Sequence, residues 1–260
     1  MIIALENKAK LDIFVALFQL LKSWNSCIQL CFNNNNISIQ TMDKSHVCLV
    51  NITISSKWFS QYDVVTNTNF TVDTNQFSII LNYALKHNKL EINYDENVNP
   101  DVVYMNLLNS KEFKTESFDH FFELPLMEVE HESFDIPETE YAVDMCIESK
   151  KFSELITELN VFGTELNIRC SEDTIELLSS GGESGKMKVS IPIDDLNEYA
   201  INEGETIDVY YSLNHVGKMC TSTKLSNEIG LYISPNEPMV IKYNLGDDSI
   251  ATFYVAPKMV

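Results

Sequence analysis

Ile37 to Ile54, ISIQTMDKSHVCLVNITI, reads as strand, turn, strand. Ile37 and Ile39 alternate with Ser38 and Gln40, and Val47, Leu49, Ile52 and Ile54 carry a second apolar run. Met42-Asp43-Lys44-Ser45-His46 makes the polar connection between them. A connection this short belongs at the surface, where loops disproportionately carry function.

The flanks supply the other elements. Met1 to Leu5 reads as a short strand, and Lys8 to Lys22 as a helix with Leu11, Phe14, Leu17, Phe18 and Leu21 on one face. Ile28 to Phe32 is a strand and Asn33 to Asn36 a polar turn. Thr74 to Lys86 reads as a second helix that buries Phe77, Ile80, Leu81 and Leu85, with Thr74 able to cap it. Leu90 to Tyr94, Val102 to Leu108 and part of Phe113 to Phe121 alternate as strands of a half-exposed antiparallel sheet do. Leu124 to Pro137 is acidic, bracketed by prolines and aperiodic, as an extended linker would be.

After the linker the pattern starts again. When the chain is slid so that Phe14 meets Phe152, Leu17 meets Leu155, Phe18 meets Ile156, Leu21 meets Leu159, Leu30 meets Ile168 and Ile37 meets Ile175. Helical and strand spacing both survive the shift. A further helix is expected around Leu213 to Ser222, with strands at Ile229 to Ile233, Met239 to Leu245 and Ile250 to Val255. The fold class is therefore α+β: two similar units, each with two helices laid on antiparallel sheets.

Composition narrows the function. The 260 residues are 45% hydrophobic, enough for a substantial core, and carry a formal net charge of −20. Such a surplus excludes indiscriminate phosphate binding, which needs local positive charge. The lysines are not spread evenly. Lys8, Lys10, Lys22, Lys86, Lys89, Lys150, Lys151, Lys218 and Lys224 belong to or flank the helices. Complementing the helix dipole accounts for Lys22, Lys86 and Lys89 but not for Lys150 and Lys151, which open a helix. The six cysteines contain no C-x-x-C and mostly lie in apolar runs, as reduced core residues of an intracellular protein would. The start of the chain is not a secretory signal, and Leu11 to Leu21, with Asp12 and Gln19 inside it, is too short to span a bilayer; no membrane partner is expected.

Catalytic chemistry finds no foothold. Ser180-Gly-Gly-Glu-Ser-Gly-Lys186 lacks the glycine spacing of a phosphate loop and has Met187 where a hydroxyl residue is needed, so it reads as a hairpin turn. His46, His87, His120, His131 and His215 lack ligand spacing. Neither an enzyme nor a cofactor or metal is expected.

Four stretches go together: Met42 to Val47 (MDKSHV), Phe134-Asp-Ile-Pro-Glu138 before Tyr141, Asn236 to Tyr243 (NEPMVIKY) and Phe253 to Met259 (FYVAPKM). As a set they resemble the proliferating cell nuclear antigen (PCNA) family of DNA sliding clamps. The resemblance spans essentially the whole chain. It implies an N-terminal clamp domain at 1–123, containing a DNA-associated segment at 63–82, an interdomain connector at 124–139 and a C-terminal clamp domain at 140–260. It also implies a closed homotrimeric ring with helices lining the hole. Double-stranded DNA would pass through without sequence readout, and the ring would serve as processivity factor for a DNA polymerase and platform for replication and repair proteins. A clamp loader and a nuclear location follow, or a viral replication compartment if a virus encodes the chain. Candidate edges for ring closure are Phe113 to Phe122 and Thr174 to Leu178 with the hairpin after it.

The same resemblance implies a pocket for partner peptides. Its residues here are Met42, His46, Val47 and Leu49 from the turn, Phe134 and Ile136 from the connector, Pro238, and Tyr254, Ala256 and Pro257 from the tail. The DNA-facing residues are Lys10, Lys22, Lys86, Lys150, Lys151 and Lys218. There are departures. Val15, Ala16, Glu154 and Thr157 stand where the family has basic residues, Asp63 to Asn82 contains no Lys or Arg, and Glu172 occupies the position of the lysine that eukaryotic clamps modify with ubiquitin. The alternatives are a peptide-binding scaffold or heterotrimer subunit that does not encircle DNA on its own, and a hydrolase built on paired carboxylates.

Overall fold

Each half of the chain runs strand, helix, five strands, helix, three strands. The computed structural model describes residues 1–109, 118–137 and 139–258. The first half comprises β1 (Ile2–Leu5), α1 (Lys8–Lys22), β2 (Cys27–Phe32), β3 (Asn36–Met42), β4 (Cys48–Ser55), β5 (Gln61–Asp63) and β6 (Thr68–Asp73). It continues through α2 (Thr74–Ala84), β7 (Lys89–Asn93), β8 (Val102–Leu108) and β9 (His120–Pro125). The second half repeats the order: β10 (Val143–Glu148), α3 (Ser149–Leu159), β11 (Glu165–Cys170), β12 (Thr174–Ser180), β13 (Lys186–Pro192), β14 (Glu198–Ile201) and β15 (Ile207–Ser212). It ends with α4 (Leu213–Cys220), β16 (Glu228–Ile233), β17 (Met239–Gly246) and β18 (Ser249–Val255). The shift that lays Phe14 on Phe152 also lays β2 on β11 and β3 on β12, end for end.

Strand order is duplicated as well. The first half has β5-β1-β7-β8-β9 and β4-β3-β2-β6; the second has β14-β10-β16-β17-β18 and β13-β12-β11-β15. Pairing is antiparallel, with Ile28 opposite Val72 in one half and Ile168 opposite Val209 in the other. The polar-turn reading of Ser180 to Lys186 holds: these two residues face each other across the β12–β13 hairpin, and Gly182 (φ 48°) and Gly185 (φ 84°) take left-handed conformations between them.

Contacts group the chain into two units. The first comprises Met1–Lys44, Asn51–Phe134 and Leu245–Ile250; the second comprises Ser45–Val50, Asp135–Asn244 and Ala251–Val260. In the first unit Phe18 is buried between Phe14 and Phe77, ring centroids 4.8 and 4.7 Å away. Removing such a ring costs about 3–5 kcal/mol. In the second unit Tyr243 packs on Phe253 at 5.7 Å and donates its hydroxyl hydrogen to the Met219 carbonyl at 2.9 Å. Cys48, Cys170 and Cys220 are buried and all six cysteines are free thiols.

Four expectations change. Asp73, not Thr74, caps α2: its carboxylate accepts the Gln76 amide at 2.8 Å, where negative charge also meets the positive end of the helix. Thr74 is inside the helix, its hydroxyl donating to the Asn25 carbonyl at 2.6 Å. The helix stops at Ala84 rather than Lys86. Burial on α1 spreads beyond one stripe to Val15, Ala16 and Leu20, so this helix has little wet face. The sheet edges also differ. Thr174 to Leu178 is interior, in β12, and the following β13 is the edge. In the first half β5 and β9 end one sheet; β9 overlaps the expected Phe113 to Phe122 edge, of which Phe113 lies outside the described residues.

Candidate functional site

The polar turn hangs between β3 and β4, and the parity of β4 decides what it exposes. Cys48, Val50, Ile52 and Ile54 point inward. Leu49 therefore stands on the opposite face, half-exposed, and Val47 is half-exposed beside it. The apolar run Val47, Leu49, Ile52, Ile54 changes parity midway, and that change marks two residues the core does not use. His46 is exposed at φ 55°, in the left-handed region. Ser45 Oγ lies 3.3 Å from His215 Nε2, and His215 Nδ1 lies 2.8 Å from Ser212 Oγ, which braces the turn within the second unit.

The tail joins the same place. In β18, Ser249, Ala251, Phe253 and Val255 are buried, and Tyr254 is on the other side, half-exposed. The Ala256 amide donates to the Val47 carbonyl at 2.9 Å and the Lys258 amide to the Tyr210 carbonyl at 2.7 Å. Lys258 Nζ is 2.6 Å from Glu165 Oε1. Pro257 is half-exposed, and Met259 lies outside the described residues. Burial pushes the Tyr254 phenol up, and burial followed by the Tyr254 and Glu237 charges does the same to Tyr141. Both therefore remain neutral hydrogen-bonding groups near pH 7. Pro238, just after Asn236 at φ 67°, and Ile136 are half-exposed too; Glu138 lies outside the described residues. The second unit thus brings Val47 and Ala256 into direct contact. It leaves His46, Val47, Leu49, Ile136, Pro238, Tyr254, Ala256 and Pro257 accessible, a largely apolar set outside the core.

Met42 and Phe134 belong to the first unit, and both are half-exposed. The connector is fastened there at successive points. Leu126 N–H donates to the Asp101 carbonyl (2.8 Å) and Met127 N–H to the Thr71 carbonyl (2.9 Å). Thr71 Oγ1 lies 2.8 Å from His131 Nε2. The Phe134 amide donates to Gln40 Oε1 at 2.7 Å, and Gln40 Nε2 donates to the Phe134 carbonyl at 2.9 Å. Neither Gln40 nor His215 was a candidate from sequence. Gln40 had one usable sign, its place on the outward parity of β3 just before the turn; His215 had none.

The lysines differ in availability. Lys22, Lys86 and Lys218 are exposed and carry no ion pair among the described residues. Lys150 and Lys151 are exposed and loosely paired with Glu154 (4.0 Å) and Glu148 (3.5 Å), contacts of little energy in water. Lys10 is engaged: its Nζ is 2.5 Å from Asp247 Oδ2 and 5.8 Å from the Trp58 ring centroid. Glu172 has a use of its own, accepting the Gly204 amide at 2.8 Å.

Comparison with known proteins adds matches to family models, to two relatives and to a solved structure. The family model of the proliferating cell nuclear antigen N-terminal domain matches residues 6–133, and that of the C-terminal domain matches residues 135–258. The chain is 28% identical over 232 residues to the proliferating cell nuclear antigen of Chaetomium thermophilum, covering 87% of each chain. It is 26% identical over 254 residues to proliferating cell nuclear antigen 2 of Plasmodium falciparum, covering 95% of each. Its fold matches the crystal structure of the Entamoeba histolytica antigen with a TM-score of 0.86 at 21% identity, covering 99% of this chain and 98% of that one.

Proposed function

Since the chain belongs to the proliferating cell nuclear antigen family of sliding clamps, which act in DNA replication and are not enzymes, we propose that three copies close head to tail into a ring around duplex DNA. The observation that carries this reading is an imbalance between duplicated strands. Within the second unit, the first residues of β4 lie beside β18, joined through Ala256 and Val47. Their counterparts β13 and β9 each end a sheet. Unpaired edges are a liability for a lone protein. Pairing β9 of one copy with β13 of the next would repeat the β18–β4 arrangement and cover both of these edges in every copy once three copies have closed. Phe118 and Phe121, 85% and 70% exposed at and just before β9, supply apolar surface for that joint.

In the ring the helices face DNA. Lys22, Lys86, Lys150, Lys151 and Lys218 offer scattered, water-softened phosphate contacts, enough to centre a duplex without reading it. The acidic surplus keeps the outer wall from competing. The half-exposed set around His46, Val47, Leu49 and Tyr254 receives an apolar peptide of the polymerase and of other replication and repair proteins. Met42, Phe134, Ile136, Pro238, Ala256 and Pro257 act with it, as the family resemblance implies. A clamp loader opens the ring, and the setting is the nucleus or a viral replication compartment.

The decisive experiment measures mass and topology together. Light scattering on the purified chain should give three times the mass of one chain. After loading, salt-resistant retention should be seen on circular DNA and lost on linear DNA. A stable monomer at micromolar concentration, or equal retention on both DNAs, overturns the homotrimeric clamp and favours a scaffold or heterotrimer subunit.

A further inference from the structure

We infer that Gln40 is a positioning residue for the peptide site, fixing the connector at Phe134 so that Phe134 and Ile136 are presented to the partner. This inference rests on the peptide-site reading above.

Two geometric facts support it. Gln40 offers a carboxamide with one acceptor and one donor, and it spends both on the main chain of a single residue. Oε1 takes the Phe134 N–H at 2.7 Å and Nε2 gives to the Phe134 carbonyl at 2.9 Å. That is the pattern by which neighbouring antiparallel strands exchange both bonds between one residue pair, with a side chain standing in for the second strand. Fixing both polar groups of one residue sets its rotation as well as its position. Secondly, the contact is outside regular structure. Residues 126 to 137 form no strand, so the Gln40 carboxamide takes the place of a sheet partner. Gln40 is half-buried on the outward parity of β3, while Ile37, Ile39 and Thr41 fill the inward one, so its side chain is not needed for the core.

The upstream fastenings explain why this one is needed. Leu126, Met127 and His131 are tied to Asp101 and Thr71, but they lie several residues before Phe134. Among the described residues no other hydrogen bond is made by residues 132 to 137, so without Gln40 a peptide would have to order this stretch on binding.

The test uses the full chain and a fluorescent synthetic peptide that is helical and apolar on one face, the kind that a largely apolar surface receives. Gln40→Met keeps the length of the side chain and removes both bonds. Gln40→Glu keeps an acceptor for the Phe134 amide and loses the donor to its carbonyl. The expected order of affinity is wild type, then Gln40→Glu, then Gln40→Met, the last weaker by about tenfold, as two modest hydrogen bonds imply. Phe134 amide exchange should quicken in the Met variant, with oligomeric mass and melting temperature unchanged in both. A merely structural role would lower the melting temperature and leave the affinity of the folded protein and the intermediate rank of Gln40→Glu unmoved; that result overturns the assignment. Wild-type binding matched by Gln40→Met overturns it alone. No binding by the wild type overturns the peptide-site reading and this assignment with it.

Discussion

At the scale of single residues, His46 separates backbone need from recognition. Its φ of 55° would suit glycine, and a side chain there costs about 1 kcal/mol or more. A non-glycine residue in this conformation, exposed at the tip of the turn, is a reasonable probe of binding. We expect His46→Gly to leave the melting temperature unchanged or slightly raised while weakening the peptide several-fold; unchanged affinity, measured by fluorescence anisotropy, would sink the role. Met42→Ala should likewise lower affinity and leave the oligomeric mass intact. Lys10 shows the opposite case. Its ammonium is held by Asp247 beside Trp58, so it is less available to a phosphate than Lys22, Lys86 and Lys218.

At the scale of elements, the connector should respond to pH with a sign set by His131. Burial pushes the His131 imidazole below its ordinary value of 6.5, because partial removal from water penalises the cation. In the docked connector His131 is therefore neutral while its ring meets Thr71. The released connector takes up a proton more readily, so docking is at full strength above about pH 6.5 and is lost as pH falls through the lowered value. NMR titration of the folded protein should place the His131 midpoint below 6.5. Connector amide exchange, corrected for its intrinsic pH dependence, should rise between pH 7 and pH 5. A midpoint above 6.5 would remove the argument.

At the scale of the whole molecule, the assembly and the charge can be tested apart. Phe121→Glu puts a charge on the exposed face of β9, where the ring reading needs an apolar joint. The mass by light scattering should fall toward that of one chain, with the far-UV circular dichroism unchanged; an unaltered mass would place the joint elsewhere. Replacing Lys150 and Lys151 with alanine should leave the mass alone. It should reduce the slope of log affinity for DNA against log salt by about 0.9 for each phosphate that is no longer neutralised. An unchanged slope would take α3 out of the DNA-facing set.

The sequence by itself determined the repeat, and with it the fold class. Helical and strand periods recur after one shift, so the apolar pattern demands the same two-layer packing twice, whatever the details between. The turn at Met42 to His46 was legible as a polar break between two alternating runs, and the tail Phe253 to Pro257 through its resemblance to the family. What only tertiary structure decided concerns pairing between distant groups. The sequence could not show that β12 is interior and β13 an edge, because both alternate alike and strand order depends on partners far along the chain. It could not show that Val15 and Ala16 are buried on α1, because their cover comes from other elements. It could not show that Gln40 holds Phe134 or that Asp247 holds Lys10, because a polar side chain takes whatever complementary group the fold brings within about 3 Å, and periodicity records only which residues avoid water.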